Sequence, residues 1–154
     1  MKIHRTSELT REQKVEILNL WNAEYPTFLE HKSLGDFEGY LEKLGNASHL
    51  LAESGEEILG WMVSFDRAGE TWFVLIVSSK IHGRGVGSKL MEVAKSNAEV
   101  LNGWVIEKET YKKTDGQFYT SPIGFYKKHG FEIGSERFEN QDFEAVKVKW
   151  TAGS

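Results

Sequence analysis

Three glycines alternate at Gly83, Gly85 and Gly87, interleaved with Arg84, Val86 and Ser88. An apolar run precedes them and a helical pattern follows. Glycine turns a backbone sharply and lets a ligand come close to its amides. Amides of a first helical turn have no partner within the helix, and the helix dipole favours an anion beside them. That combination is the chemistry of a phosphate or pyrophosphate cradle. Lys80, Arg84 and Lys89 add positive charge nearby. The same spacing also fits a tight strand-to-helix turn that holds no ligand. Two familiar phosphate motifs are excluded. In Gly87-Ser88-Lys89 the serine precedes the lysine, which reverses the Walker order. The G-x-G-x-G spacing is also not that of the G-x-G-x-x-G dinucleotide fingerprint.

The elements around this loop follow from periodicity. Thr10 and Gln13 form a capping box, and Val15, Leu18, Trp21 and Tyr25 follow at helical spacing. A first helix is expected over 10–24, stopped by Pro26. A second is expected over 34–44, ended by Gly45 in a left-handed cap. Residues 49–52 and 58–65 read as a hairpin, and Trp72 to Val77 as a central strand buried on both faces. Val86, Leu90, Val93 and Ala94 place a third helix over 85–98. Residues 103–107 read as a short strand. The polar stretch 108–120 has no periodicity, and long loops in compact domains are often functional. Ser121 as cap and Pro122 as first residue open a fourth helix, which runs to His129. A hairpin over 131–138 and 143–150 closes a single domain spanning 1–150, with 151–154 as a tail. The order β-α-α-β-β-β-α-β-α-β-β is an α/β (α+β) arrangement on a mixed sheet.

Composition narrows the class. The chain has 154 residues and a mass of 17.6 kDa, the size of one domain. Apolar residues are 40%, enough for a sizeable core. There is no cysteine, which excludes a disulfide scaffold, a thiolate metal site and a catalytic thiol. His4, His49 and His129 show no metal-ligand spacing, so no metal is expected. A net charge of -4 and a pI near 5.8 argue against a dedicated nucleic-acid binder. No apolar run approaches the ~20 residues that span a bilayer, so no membrane partner is expected. The amino terminus has no apolar core of a secretory signal, and a cytoplasmic location is the expectation.

His82-Gly83-Arg84-Gly85-Val86-Gly87 resembles the R/Q-x-x-G-x-G/A signature of the GNAT superfamily of acyl-CoA-dependent N-acyltransferases. His82 stands where that signature usually has arginine or glutamine. Phe125-Tyr126-Lys127-Lys128-His129-Gly130-Phe131 resembles the superfamily's second signature, [FL]-Y-x-K-x-G-F. The resemblance implies a mostly antiparallel central sheet flanked by about four helices, with a splayed central strand pair. It implies that the backbone of 82–88 holds the pyrophosphate of coenzyme A, with acetyl-CoA as cosubstrate. It implies that Ile76 and Val77 hold the pantetheine arm through their backbone. Tyr126 would be the general acid that protonates the departing thiolate; a phenol with a reference pKa near 10 carries its proton at pH 7. Relatives often place an asparagine where this chain has Tyr119, so Tyr119 is a candidate cofactor contact.

Acyl transfer to an amine needs an oxyanion donor, for which the Val77 amide is the candidate. It also needs the ammonium proton removed. Glu107, at the end of the short strand, is the candidate base, with Glu109 as its alternate on the acceptor side. A solvated surface role fits both glutamates equally well. The acceptor is expected between Tyr25, Phe28 and His31 on one side and Tyr111, Phe118 and Tyr119 on the other. Lys108, Lys112, Lys113, Lys127 and Lys128 form a basic cluster that suits the 3′-phosphate of coenzyme A, or simply a solvated face. The expected function is transfer of an acetyl group from acetyl-CoA to the primary amine of a small molecule or peptide, by a monomer or homodimer. A non-catalytic acyl-CoA-binding module is the alternative.

Overall fold

The structure, a computed structural model, describes residues 1–153. The elements are β1 (Lys2–Thr6), α1 (Arg11–Glu24), α2 (Leu34–Glu42), β2 (Gly45–Ser54), β3 (Glu57–Arg67), β4 (Glu70–Val77), α3 (Val86–Ser96), β5 (Val100–Val105), α4 (Ile123–Lys128), β6 (Glu132–Glu139) and β7 (Glu144–Thr151). Short 3-10 turns lie at Thr27–Leu29 and Ser79–Ile81. The capping box forms as its residues require. Thr10 Oγ1 accepts from the Gln13 amide at 3.1 Å, and Gln13 Oε1 accepts from the Thr10 amide at 2.8 Å.

One seven-stranded sheet has the order β1-β2-β3-β4-β5-β7-β6. Every neighbouring pair is antiparallel except β4 and β5, which are parallel. Period-two alternation along β3 separates the two faces. Trp61, Val63 and Phe65 pack with Ile17, Trp21 and Phe37 of α1 and α2. Met62 packs on the other face with Leu90, Met91 and Ala94 of α3. Trp61, Phe37, Leu90 and Met62 are wholly buried. Each such side chain contributes about 1.5–3 kcal/mol of hydrophobic stabilisation. The sheet is thereby a rigid platform, covered on both faces.

Several boundaries differ from expectation. Gly45 does not cap α2; the helix ends at Glu42, and Gly45 already pairs with Asp66 as the first residue of β2. The short strand spans Val100–Val105, so Glu107 lies beyond it. Pro122, not Ser121, holds the cap position of α4, and Ser121 Oγ instead donates to the Ile106 carbonyl at 2.7 Å. The segment 151–154, expected as a tail, begins inside β7, where Thr151 pairs with Val100. β4 is buried on both faces only in part. Trp72, Phe73 and Ile76 are buried, but Val74, Leu75 and Val77 are half-exposed, because the strand loses its neighbour towards its carboxyl end.

Candidate active site

β4 and β5 share a single bridge, Trp72 with Asn102, and no further pairing towards their carboxyl ends. Two residues hold the pair at that point and force it apart above it. Asn102 is wholly buried and donates through Nδ2 to the Thr71 carbonyl and to Glu70 Oε1, both at 3.1 Å. Phe73 then crosses Gly103, where a side chain would crowd the ring.

The gap exposes peptide groups of β4. The Ser78 amide donates to the Leu59 carbonyl of β3 at 2.8 Å. Strand peptides alternate in direction, so Ile76 also points its peptide groups at β3, where it pairs with Trp61. Leu75 and Val77 point theirs into the gap. Of the two residues expected to offer their backbone, Val77 therefore faces the gap, with Leu75 beside it, whereas the peptide groups of Ile76 are turned to β3 although the residue lines the cleft. His82 Nε2 lies 3.1 Å from the Val77 carbonyl. A carbonyl only accepts, so Nε2 carries the proton and the ring ties the loop to the strand end.

The glycine loop has the expected form. Gly83 and Gly85 have φ of 84° and 77°, in the left-handed region that side chains rarely adopt. Gly85 occupies the cap position of α3 without any side-chain cap, so the first-turn amides of Val86, Gly87 and Ser88 have no partner in the helix. A Cβ at Gly87 would meet the Phe125 ring at 3.3 Å, so glycine also lets α3 and α4 close on each other. Arg84 contributes less than expected: its amide donates to Ile81 at 3.3 Å, and it does not line the cleft. The Ser88 hydroxyl sits 2.9 Å from His129 Nε2, an α3-to-α4 tie that leaves its amide free.

A cleft of about 650 Å³ runs from this loop to the strand gap, lined by His82, Gly83, Gly85, Val86, Gly87, Ser88 and Val77. Of the basic cluster, Lys113 and Lys128 reach it. Lys108 instead pairs with Glu144 at 3.5 Å, and Lys112 lies over the Phe118 ring. A second cavity of about 350 Å³ opens on the other side of the gap, walled by Trp21, Tyr40, Phe65, Trp72, Trp104 and Phe143 among others. Tyr25, Leu75, Tyr119, Pro122 and Tyr126 line both. The cavities therefore meet at three phenols. Burial raises all three phenol pKa values above the usual 10, and at Tyr25 its neighbours Tyr119, Tyr126 and Tyr40 add to the effect. Each phenol therefore keeps its proton at pH 7.

The other expected residues are placed elsewhere. Glu107 pairs with Arg137 at 3.5 Å on the surface and lines neither cavity, because β5 ends before it and the chain turns away. Glu109 Oε2 accepts from the Ser121 amide at 2.8 Å, bracing the approach to α4. Phe28 stacks on Phe143 at 5.0 Å and meets Tyr111 edge-on, behind the cavity wall. His31 is enclosed by Trp21, Phe37 and Tyr40, with a buried Nε2 that has no hydrogen-bond partner. Desolvation lowers its pKa despite Asp36 nearby, so it stands as a neutral wall residue. Tyr25 and Tyr119 do reach the site, and Phe118 reaches the larger cleft.

No motif or spacing marked Glu24. It is the one carboxylate that lines either cavity among the described residues. Its Oε2 accepts from the Ser79 amide at 2.9 Å and its Oε1 lies 3.7 Å from Lys113 Nζ. It thus ties the end of α1 to the strand end and to the 108–120 loop. Asn102 was also invisible, because its role depends on contacts with Glu70 and Thr71, more than thirty residues away.

Comparison with known proteins bears on this geometry. The family model described as an acetyltransferase (GNAT) domain matches residues 45–133, more than half of the chain. No curated protein sequence matches. Among solved structures, an aminoglycoside 6′-N-acetyltransferase complexed with coenzyme A superposes with a TM-score of 0.72 at 16% identity, covering 98% of this chain and 97% of that one. An acyl-CoA N-acyltransferase from Pseudomonas aeruginosa gives 0.70 at 18% identity, over 96% and 97%. A ribosomal-protein-alanine N-acetyltransferase from Brucella melitensis gives 0.67 at 16%, over 98% and 99%. At these identities the superpositions speak to the fold alone, whereas the family model spans the glycine loop, the parted strands and Tyr126. This chain belongs to the GNAT family of acetyltransferases, whose cosubstrate is acetyl-CoA.

Proposed function

We propose that the protein moves an acetyl group from acetyl-CoA to a primary amine by direct attack. The observation that carries this reading is the meeting of two cavities at one point. The larger begins at uncapped helical amides suited to a pyrophosphate, and the smaller is an aromatic chamber of a size for a small molecule. Leu75, Tyr119 and Tyr126 line both where they join.

The thioester supplies the activated acetyl group when bound. The chain's residues do the rest. The amides of Val86, Gly87 and Ser88 hold the anionic end. The gap-side peptides of Leu75 and Val77 take up the extended arm as an added strand would. The Val77 amide donates to the carbonyl oxygen as charge develops there. Tyr126 donates its phenolic hydrogen to the leaving sulfur and is restored by the proton that the attacking nitrogen gives up, so the amine hydrogen ends on the thiol. Its raised pKa means that it stays a phenol throughout the working pH range. The amine must arrive neutral, and the apolar walls of the smaller cavity favour that form by desolvation. Glu107 and Glu109 line neither cavity, so neither is proposed as the direct base.

Thermal unfolding with and without saturating acetyl-CoA, with ATP and NAD as controls, tests the reading. At 100 times the dissociation constant the linkage is about 2.7 kcal/mol, a shift of roughly 5–10 °C for this size. A shift with acetyl-CoA alone, followed by acetylation of an amine, is the expected result. A shift without turnover on any amine would instead leave an acyl-CoA-binding module. No shift would remove the assignment of the cleft.

A further inference from the structure

The smaller cavity carries an electrostatic signature that the general reaction does not require. Its nineteen lining residues include one charged group, Arg67, and no carboxylate. Three carboxylates close in sequence to its lining residues have other partners. Asp66 accepts from Asn46 at 2.8 Å, Glu144 faces Lys108 at 3.5 Å, and Glu70 is held by Lys149 and Asn102. Arg67, in contrast, pairs with no carboxylate among the described residues. Its guanidinium lies 4.9 Å from the Phe65 ring and 5.5 Å from the Trp72 ring, which fixes it at the mouth between two aromatic walls. The same charge lies close enough to the Tyr40 hydroxyl to oppose the rise that burial imposes there, and Arg67 and Tyr40 line the chamber together.

The chamber's two ends therefore differ. At the inner end are the phenols and the strand gap, where an acetyl group arrives. At the outer end is an unpaired guanidinium, a planar fork that fits a carboxylate with two parallel hydrogen bonds. Trp72, beside Arg67, and Leu75, where the two cavities meet, are three residues apart on β4, a strand rise of about 10 Å at ~3.4 Å per residue. The walls between are aromatic and flat.

We infer that the acceptor is a primary monoamine on a flat apolar or aromatic body, with an anionic group at the far end held by Arg67. A polycation is disfavoured, since each additional ammonium would enter a chamber with no carboxylate and one fixed positive charge. An α-amino acid in which amine and carboxylate are adjacent does not span the two ends. The inference rests on the acetyltransfer reading above.

The test uses the full chain and a matched pair of amines, 4-(2-aminoethyl)benzoate and 2-phenylethylamine, which differ only in the carboxylate. Kanamycin and spermidine serve as polycations. The expected result is kcat/KM at least about tenfold higher for the benzoate, the value of a charge-assisted contact. Arg67→Gln should collapse that ratio towards one, chiefly through KM. It should also abolish protection of the CoA-bound protein against heat by the benzoate, which is a readout independent of turnover. Preference for kanamycin or spermidine would overturn the inference, as would equal rates for the matched pair or an unchanged ratio in Arg67→Gln. The two failures are distinguishable. If acetyl-CoA alone raises the melting temperature but the aromatic acid gains nothing, only the acceptor class falls. If acetyl-CoA produces no shift, the acetyltransfer reading falls and takes this one with it.

Discussion

A Cβ added at Gly103 would lie 2.9 Å from both Cε1 and Cζ of Phe73. Optimal carbon separations are about 3.5–4.0 Å, so either the ring or β5 must move. The ring has little freedom. Phe73 is 4% exposed, and its ring packs 5.7 Å from Tyr126 and 5.6 Å from Phe131. Overpacking of this kind costs about 1–3 kcal/mol. Replacing glycine also restricts the unfolded chain, which returns about 0.4–1 kcal/mol. The net expectation for Gly103→Ala is a loss of about 1–2 kcal/mol, or roughly 2–8 °C in melting temperature. Because Tyr126 contacts the displaced ring, acetyl transfer should fall as well. Thermal and urea unfolding of Gly103→Ala, Phe73→Leu and the double variant would separate the causes. A leucine leaves space for the new methyl, so Gly103→Ala should cost less in that background, with a coupling above about 0.5 kcal/mol. If Gly103→Ala is neutral, or costs the same in the Phe73→Leu background as beside the native ring, the wedge between the strands is not what parts them.

Tyr126→Phe should lower kcat by about 10²–10⁴-fold while keeping the thermal shift with acetyl-CoA, since only the donor is removed. Steady-state kinetics and unfolding on one preparation check both halves. Glu107→Gln and Glu109→Gln should each leave kcat within about threefold, far from the loss that removal of a general base produces. The profile of kcat/KM should instead rise with pH up to the amine's own pKa, because the neutral amine is what enters. Acid stability should depend on His49. Burial lowers its pKa to about 4, and its Nδ1 accepts from Trp61 Nε1 at 3.0 Å. The unfolded chain takes up that proton near pH 6.5, so between pH 6.5 and 4 it binds more protons and stability falls as pH falls. His49→Gln should flatten part of that slope in urea titrations. His31 and His129, whose pKa values are lowered mainly by desolvation, account for a share of the remainder.

The form of the glycine loop was legible because its geometry is local. Gly83, Gly85 and Gly87 are required by backbone angles and close approach, and those depend on residues adjacent in sequence. Tyr126 was legible for a similar reason: a short helix and a following glycine-phenylalanine turn fix its place relative to α3. The base and the acceptor wall were not, because each depends on where a chain goes after its pattern ends. Glu107 sits two residues past the end of β5, and nothing nearby in sequence says that the backbone then carries it to Arg137. Phe28 and His31 are aromatic and near the right helix, yet packing against Phe143 and Tyr40 turns them into walls behind the cavity. Ile76 and Leu75 differ only in strand phase, which was set by the register of β4 against β3.

By itself, then, the sequence determined the element order, the two-faced sheet and the glycine loop. Hydrophobic period, capping residues and glycine angles are properties of short segments. The tertiary structure alone decided which side of β4 is bare, that Glu24 and Arg67 reach the two cavities, and that the smaller cavity lacks a carboxylate. Those features arise from pairings such as Asn102 with Thr71 and Phe73 over Gly103. Such contacts join residues about thirty positions apart, and only the folded sheet brings them into register.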